Sequence, residues 1–131
     1  MKSIYIVVAM FLLSACATSS DTHITDAVAD FIQVAELLPE ESVRTRRGFN
    51  YTIVSRRYVV LKSHKDYYLV EFVRDCRELY EQDRVSPDYR YDTNVLRPRF
   101  DTIRGCRIAK LYTLDESQAQ ELESLGDAPG D

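Results

Sequence analysis

Tyr58-Val59-Val60-Leu61-Lys62-Ser63-His64-Lys65-Asp66-Tyr67-Tyr68-Leu69-Val70-Glu71-Phe72-Val73 reads as two strands joined by a tight connection, and this stretch decides the fold. Both halves are dense in β-branched and aromatic residues, which suit a pleated, half-buried surface. Residues two apart on a strand share a face, so Tyr68, Val70 and Phe72 are expected to point the same way. Just upstream, Phe49, Tyr51 and Ile53 alternate with Asn50 and Thr52, and Ser55-Arg56-Arg57 is short enough to turn that segment back on Tyr58. The three segments together predict an antiparallel meander. Its tyrosines read as core and rim rather than as a ligand platform, because aromatic strand stripes usually supply packing. Val43 and Thr45 begin a further short strand, stopped by the turn-forming Gly48.

Working outward, Ile24, Ala27, Val28, Phe31, Ala35 and Leu38 recur at helical spacing and Pro39 ends the pattern. This predicts a helix near 25–32. Ile32 and Val34 also alternate as strand residues would, which leaves 33–38 open. On the other side, residues 83–99 contain Pro87 and Pro98 and read as a long excursion. Phe100 to Ile103 and Arg107 to Thr113 read as closing strands. A helix over 115–125 follows, with Thr113 and Glu116 at capping-box spacing, an apolar stripe at Ala119, Leu122 and Leu125, and Gly126 with Pro129 as the stop. The expected fold is α+β: a mostly antiparallel sheet or partly closed small barrel, with one N-terminal and one C-terminal helix.

The start of the chain has a different character. Lys2 precedes the ten-residue apolar run Ile4 to Leu13, and Leu13-Ser14-Ala15-Cys16 follows directly. Ten apolar residues fall short of the roughly 20 that span a bilayer. The pattern resembles the lipobox of bacterial lipoprotein precursors, in which the segment before the cysteine is removed. The resemblance implies that residues 1–15 are a signal peptide and that Cys16 receives a diacylglyceryl group and becomes the N-terminus, usually N-acylated (palmitate) as well. Two or more chains suffice for durable attachment, whereas one binds marginally. Ala17, rather than Asp, implies the periplasmic face of the outer membrane. Residues 16–24 would then be the lipidated N-terminus and tether, 25–126 a single globular domain, and 127–131 a disordered tail.

Removing Cys16 from three cysteines leaves Cys76 and Cys106. In an oxidising envelope compartment an even remainder reads as a disulfide. The alternatives are a metal pair or a reactive thiol. No Cys-x-x-Cys occurs, and His23 and His64 lie far from both cysteines, so no metal and no cofactor are expected.

Charge is strongly segregated. Residues 16–43 carry six acids and no bases, 44–110 carry 16 bases against nine acids, and 111–131 carry six acids and no bases. The acidic arms can fold back on the basic body, or the body can meet an anionic envelope component. Thirteen of its bases are Arg, suited to bidentate recognition of carboxylate or phosphate. A Cys76–Cys106 bridge would gather Arg74, Arg77, Arg104 and Arg107, the candidate anion-binding residues. Asp75, Glu78 and Asp101 lie in the same neighbourhood and can pair with them instead. No recognition helix or aromatic RNA-binding signature is visible, so nucleic acid is not an expected partner.

No Gly-x-Ser-x-Gly, His-Glu-x-x-His, P-loop or Gly-x-Gly-x-x-Gly occurs, and four glycines make a phosphate-cradling loop improbable. Asp101 beside Arg104 suits an ion pair better than a proton shuttle, because the arginine would lower the carboxyl pKa. No catalytic residue is assigned and an enzyme is not expected.

Ile53 to Phe72, then Cys76, then Phe100-Asp101-Thr102-Ile103-Arg104-Gly105-Cys106-Arg107-Ile108 resemble a group of small bacterial envelope lipoproteins classified only as a domain of unknown function. The resemblance covers about residues 25–125. It implies a cysteine after the meander, a second just after an Asp-x-Ile turn, and an acidic closing helix. Many members carry a further cysteine where this chain has Phe31-Ile32, which implies a single bridge here. The resemblance brings no activity with it. The expected role is that of a membrane-anchored, non-enzymatic interaction or structural module, with binding of an anionic envelope component as the alternative.

Overall fold

The computed structural model describes residues 20–45, 48–81 and 94–127. Residues 1–19, which include the lipobox and Cys16, lie outside them, as do residues 82–93 of the proposed excursion and the tail from 128 onward. The fold is α+β: two terminal helices and a curled, half-barrel antiparallel sheet of five strands.

The meander forms as its residues require, with β2 (Asn50–Ile53), β3 (Tyr58–Ser63) and β4 (Asp66–Phe72) paired in sequence order. β7 (Cys106–Leu114) adds to β4, and β6 (Thr102–Ile103) closes the edge, giving the order β2-β3-β4-β7-β6. β1 (Val43–Arg44) pairs with β5 (Val95–Leu96) in a separate two-stranded ladder. The expected strand over 100–103 shortens to Thr102–Ile103. Phe100 lies in a turn with 76 % of its surface exposed, because Asp101 folds the chain back through its carboxylate.

The sheet is buried on both faces. Val59, Leu61, Tyr68, Val70, Phe72, Ile108 and Leu111 pack on one side with Leu79, Leu96 and both cysteines. Tyr58, Val60, Leu69, Tyr112 and Leu114 pack on the other side beneath the helices, against Val28, Ala119 and Leu122. Tyr68, Val70 and Phe72 therefore do share a face. Ile108 and Leu111 share it too, although an odd spacing of three would put them on opposite faces of a regular strand. The register explains this: Glu71 faces Lys110 while Phe72 faces Ile108, so Ala109 is an extra, bulged residue that inverts the alternation.

Helix α1 is longer than its apolar spacing suggests, running over Ser20–Val34, so residues 20–24 are helical rather than tether. Asp21 favours its N-terminal turn through the helix dipole, and the Asp21 carboxylate accepts the Arg56 N–H at 3.0 Å. One turn on, the Thr25 hydroxyl donates to Ser55 Oγ at 2.9 Å, tying the helix to the β2–β3 loop. The open segment 33–38 resolves as a Schellman stop. Leu37 N–H donates to Ile32 O and Glu36 N–H to Gln33 O, with Glu36 at φ 53°. Leu37 and Ile32 both pack on the helix-covered core, the apolar contact that accompanies this motif. Among the described residues no helix is long and apolar enough to cross a membrane.

Helix α2 spans Glu116–Asp127. Its capping box is Asp115–Gln118, not Thr113–Glu116: Gln118 N–H donates to Asp115 Oδ1 at 2.7 Å and Asp115 N–H to Gln118 Oε1 at 3.0 Å. The helix also runs through Gly126, whose role is close approach rather than termination. A Cβ there would stand 2.8 Å from Ile53 O and 3.0 Å from Val54 Cα, both backbone atoms. Gly126→Ala gains about 1 kcal/mol of helix propensity and loses about 1–3 kcal/mol to overpacking. A net destabilisation of about 1 kcal/mol is expected in urea unfolding, and a stabilised variant would mean that α2 does not sit on this loop.

Candidate functional site around the disulfide

The chemistry-bearing side chains converge where β4 leaves the sheet and β7 enters it. After Phe72 the chain turns, and Cys76 N–H donates to Arg56 O at 2.7 Å, which fixes Cys76 beside the β2–β3 loop. A short 3-10 helix over Arg77–Tyr80 follows. Opposite, Ile103 pairs with Cys106 across a two-residue turn whose members Arg104 and Gly105 have φ 54° and 80°. Two positive φ values suit the twist of a tight hairpin. The sulfurs of Cys76 and Cys106 are bonded, their Cα atoms are 5.8 Å apart, and both residues are fully buried.

Arg74 and Arg104 meet at Glu78. Arg74 Nη2 lies 2.9 Å from Glu78 Oε1 and its Nη1 donates to Asp75 O at 2.9 Å, a pairing that holds the Arg74 guanidinium more firmly protonated. Arg104 Nη2 donates to Glu81 O at 2.6 Å and to Glu78 O at 3.3 Å, closing the C-terminal end of the 3-10 helix. Arg77 and Arg107 are exposed. Two of the four candidate arginines are thus engaged by one carboxylate and by backbone carbonyls. Nearby, Arg57 reaches Asp75 at 3.7 Å, and Arg56 lies 5.9 Å from the Tyr80 ring centroid.

Glu78, expected as able to pair with the arginines, also reaches the bridge itself, which was not expected. Its Oε2 stands 3.1 Å from Cys106 Sγ and 3.7 Å from Cys76 Sγ. A bonded sulfur has no proton to donate, so in the oxidised chain these are contacts, not hydrogen bonds. Only its spacing two residues after Cys76 could have signalled this.

Asp101 is buried, and its Oδ2 accepts the Arg97 N–H at 2.6 Å, so its carboxylate staples a turn. An open cleft of about 450 Å³ lies between Pro39-Glu40-Glu41, Pro98-Arg99 and Ala109-Lys110.

A second polar pair lies under the helices. Tyr58 donates its hydroxyl to Glu71 Oε1 at 2.7 Å. Burial first, then this hydrogen bond and the Glu71 charge, push the Tyr58 pKa far above the ordinary tyrosine value. Burial and Glu71 raise Tyr112 as well. The neutral phenols are therefore the form that the fold prefers. Their contribution is fully present below about pH 10, the unfolded tyrosine value, and is lost as pH rises from there through the folded values. Stability measured by urea unfolding is expected to fall as pH rises above about 10, and Tyr58→Phe should flatten that slope. An unchanged slope in the variant would show that Tyr58 ionises as readily folded as unfolded.

The model of a family of unknown function, DUF6491, matches residues 1–126 of this chain. No curated protein and no solved structure matches it.

Proposed function

The chain belongs to DUF6491, a family of unknown function, and we propose that this member is a lipid-anchored envelope lipoprotein whose small domain is a non-enzymatic interaction or structural module. The observation that carries the reading is Leu13-Ser14-Ala15-Cys16 directly after the apolar run Ile4 to Leu13. The family match begins at residue 1, so this segment lies within the matched region. The Cys76–Cys106 bridge suits an oxidising compartment. With α1 beginning at Ser20, only residues 17–19 separate Cys16 from the helix. At no more than about 3.5 Å per residue, that linker can place the start of α1 no farther than roughly 15 Å from Cys16.

The geometry favours an interaction module over an anion site, because Arg74 is paired with Glu78 and Arg104 holds backbone carbonyls. Cys16→Ala removes the thiol that accepts the diacylglyceryl group. The variant is expected to accumulate as the uncleaved precursor and to lose the lipid-dependent membrane fraction of the parent. Processing and fractionation identical to the parent would overturn the proposal.

A further inference from the structure

We propose that reduction of the Cys76–Cys106 bridge exposes a binding site for a soft divalent cation such as Zn²⁺, with Cys76 Sγ, Cys106 Sγ and Glu78 Oε2 as its ligands. These three side chains present ligand atoms within 4.8 Å of one another. Tetrahedral zinc takes thiolate at about 2.3 Å and carboxylate oxygen at about 2.1 Å, which places oxygen and sulfur ligands about 3.6 Å apart. Glu78 Oε2 already stands 3.1 Å and 3.7 Å from the two sulfurs. The carboxylate thus occupies a ligand position in the oxidised chain, and reduction has only to let the sulfurs separate by side-chain rotation.

The surroundings support the same ligand set. Arg74 holds Glu78 chiefly through Oε1 at 2.9 Å, with a longer 3.4 Å contact from Nη1 to Oε2, and so fixes the carboxylate with Oε2 on the side of the sulfurs, as groups outside the ligand shell commonly orient ligating carboxylates. Two thiolates and one carboxylate carry three negative charges against two on the cation. The guanidinium groups of Arg74 and Arg104, the latter on Glu78 O, offset the remainder. The cysteines are fully buried, while the Glu78 side chain keeps 26 % of its surface, so a fourth ligand from solvent enters on the Glu78 side.

The chemistry balances with a dithiol reductant. It supplies two electrons and two protons, its own sulfurs become a disulfide, and Cys76 and Cys106 become thiols. The cation then displaces both thiol protons to solvent. The inference does not depend on the lipid anchor.

The test uses the full chain carrying Cys16→Ser, which leaves Cys76 and Cys106 as its two cysteines. Co²⁺ serves as the spectroscopic probe and Zn²⁺ as competitor, with a thiol-free phosphine as reductant. The reduced chain is expected to take up one Co²⁺ with thiolate-to-cobalt absorption that Zn²⁺ abolishes, and the oxidised chain to show none. Glu78→Gln should weaken binding by about 10–100-fold. A reduced chain without thiolate-to-cobalt absorption would overturn the inference. So would equal affinity in Glu78→Gln, since that is how an unfolded dithiol would behave.

Discussion

Phe72→Ala is expected to destabilise the domain by about 3–5 kcal/mol, the largest effect of any single side-chain truncation in it. Among the described residues Phe72 is the largest fully buried side chain. It ends β4 on the face that packs against Leu79, Leu96, Ile108 and the two cysteines. Its backbone N–H is committed to Arg57 O at 2.9 Å, and the Ala109 bulge sets Ile108 opposite it. Collapse into the vacated volume is therefore opposed by fixed backbone on both sides, which places the cost toward the top of the range. Against a total stability of about 5–15 kcal/mol this is a large share. Urea unfolding at constant m should report it as a lower midpoint. A loss below about 1 kcal/mol would mean that the disulfide-side face of the sheet is not a packed core.

Cys76→Ser is expected to cost about 3.6 kcal/mol. The bridge spans 30 residues of sequence, and closing a loop of that size removes about this much chain entropy from the unfolded state. The measurement is best made with a metal chelator present, comparing Cys76→Ser, Cys106→Ser and the double variant. Each should lose a similar amount, because either substitution opens the same loop. The segment that the bridge closes includes the 3-10 helix and β6, so opening should be felt at both. Stability equal to that of the oxidised parent would show that the loop is already constrained without the bond.

The meander was legible in the sequence because strand alternation and hairpin-length connectors coincide over 49–73, and α2 because its apolar stripe is long enough to fix a period. The bridge was legible by counting. The Ala109 bulge was not, since an inserted residue looks like ordinary strand until its partner Phe72 is known. The end of α1 was obscured for a related reason. A Schellman stop usually announces itself by Gly, and here Glu36 holds the left-handed position. The short strand expected from Val43 is present as β1, but its partner β5 was not legible, because Val95–Leu96 lies in the stretch read as an excursion and two residues are too few to show a period. At the candidate site the gathering of arginines followed from the bridge. Pairing with Glu78 was open from its neighbourhood, and Arg74 takes it; the hold of Arg104 on backbone carbonyls was not legible, because it depends on the 3-10 turn that also brings Glu78 back over the sulfurs.

The proposed role rests on Cys16 being the lipid-bearing N-terminus of the mature protein. The direct measurement is mass spectrometry of the N-terminal peptide from protein isolated from its own membranes. Residues 1–15 are expected to be gone, and Cys16 to carry a thioether-linked diacylglyceryl group with an acyl chain on its amine. An intact residue 1, cleavage at another bond, or an unmodified Cys16 thiol would contradict it.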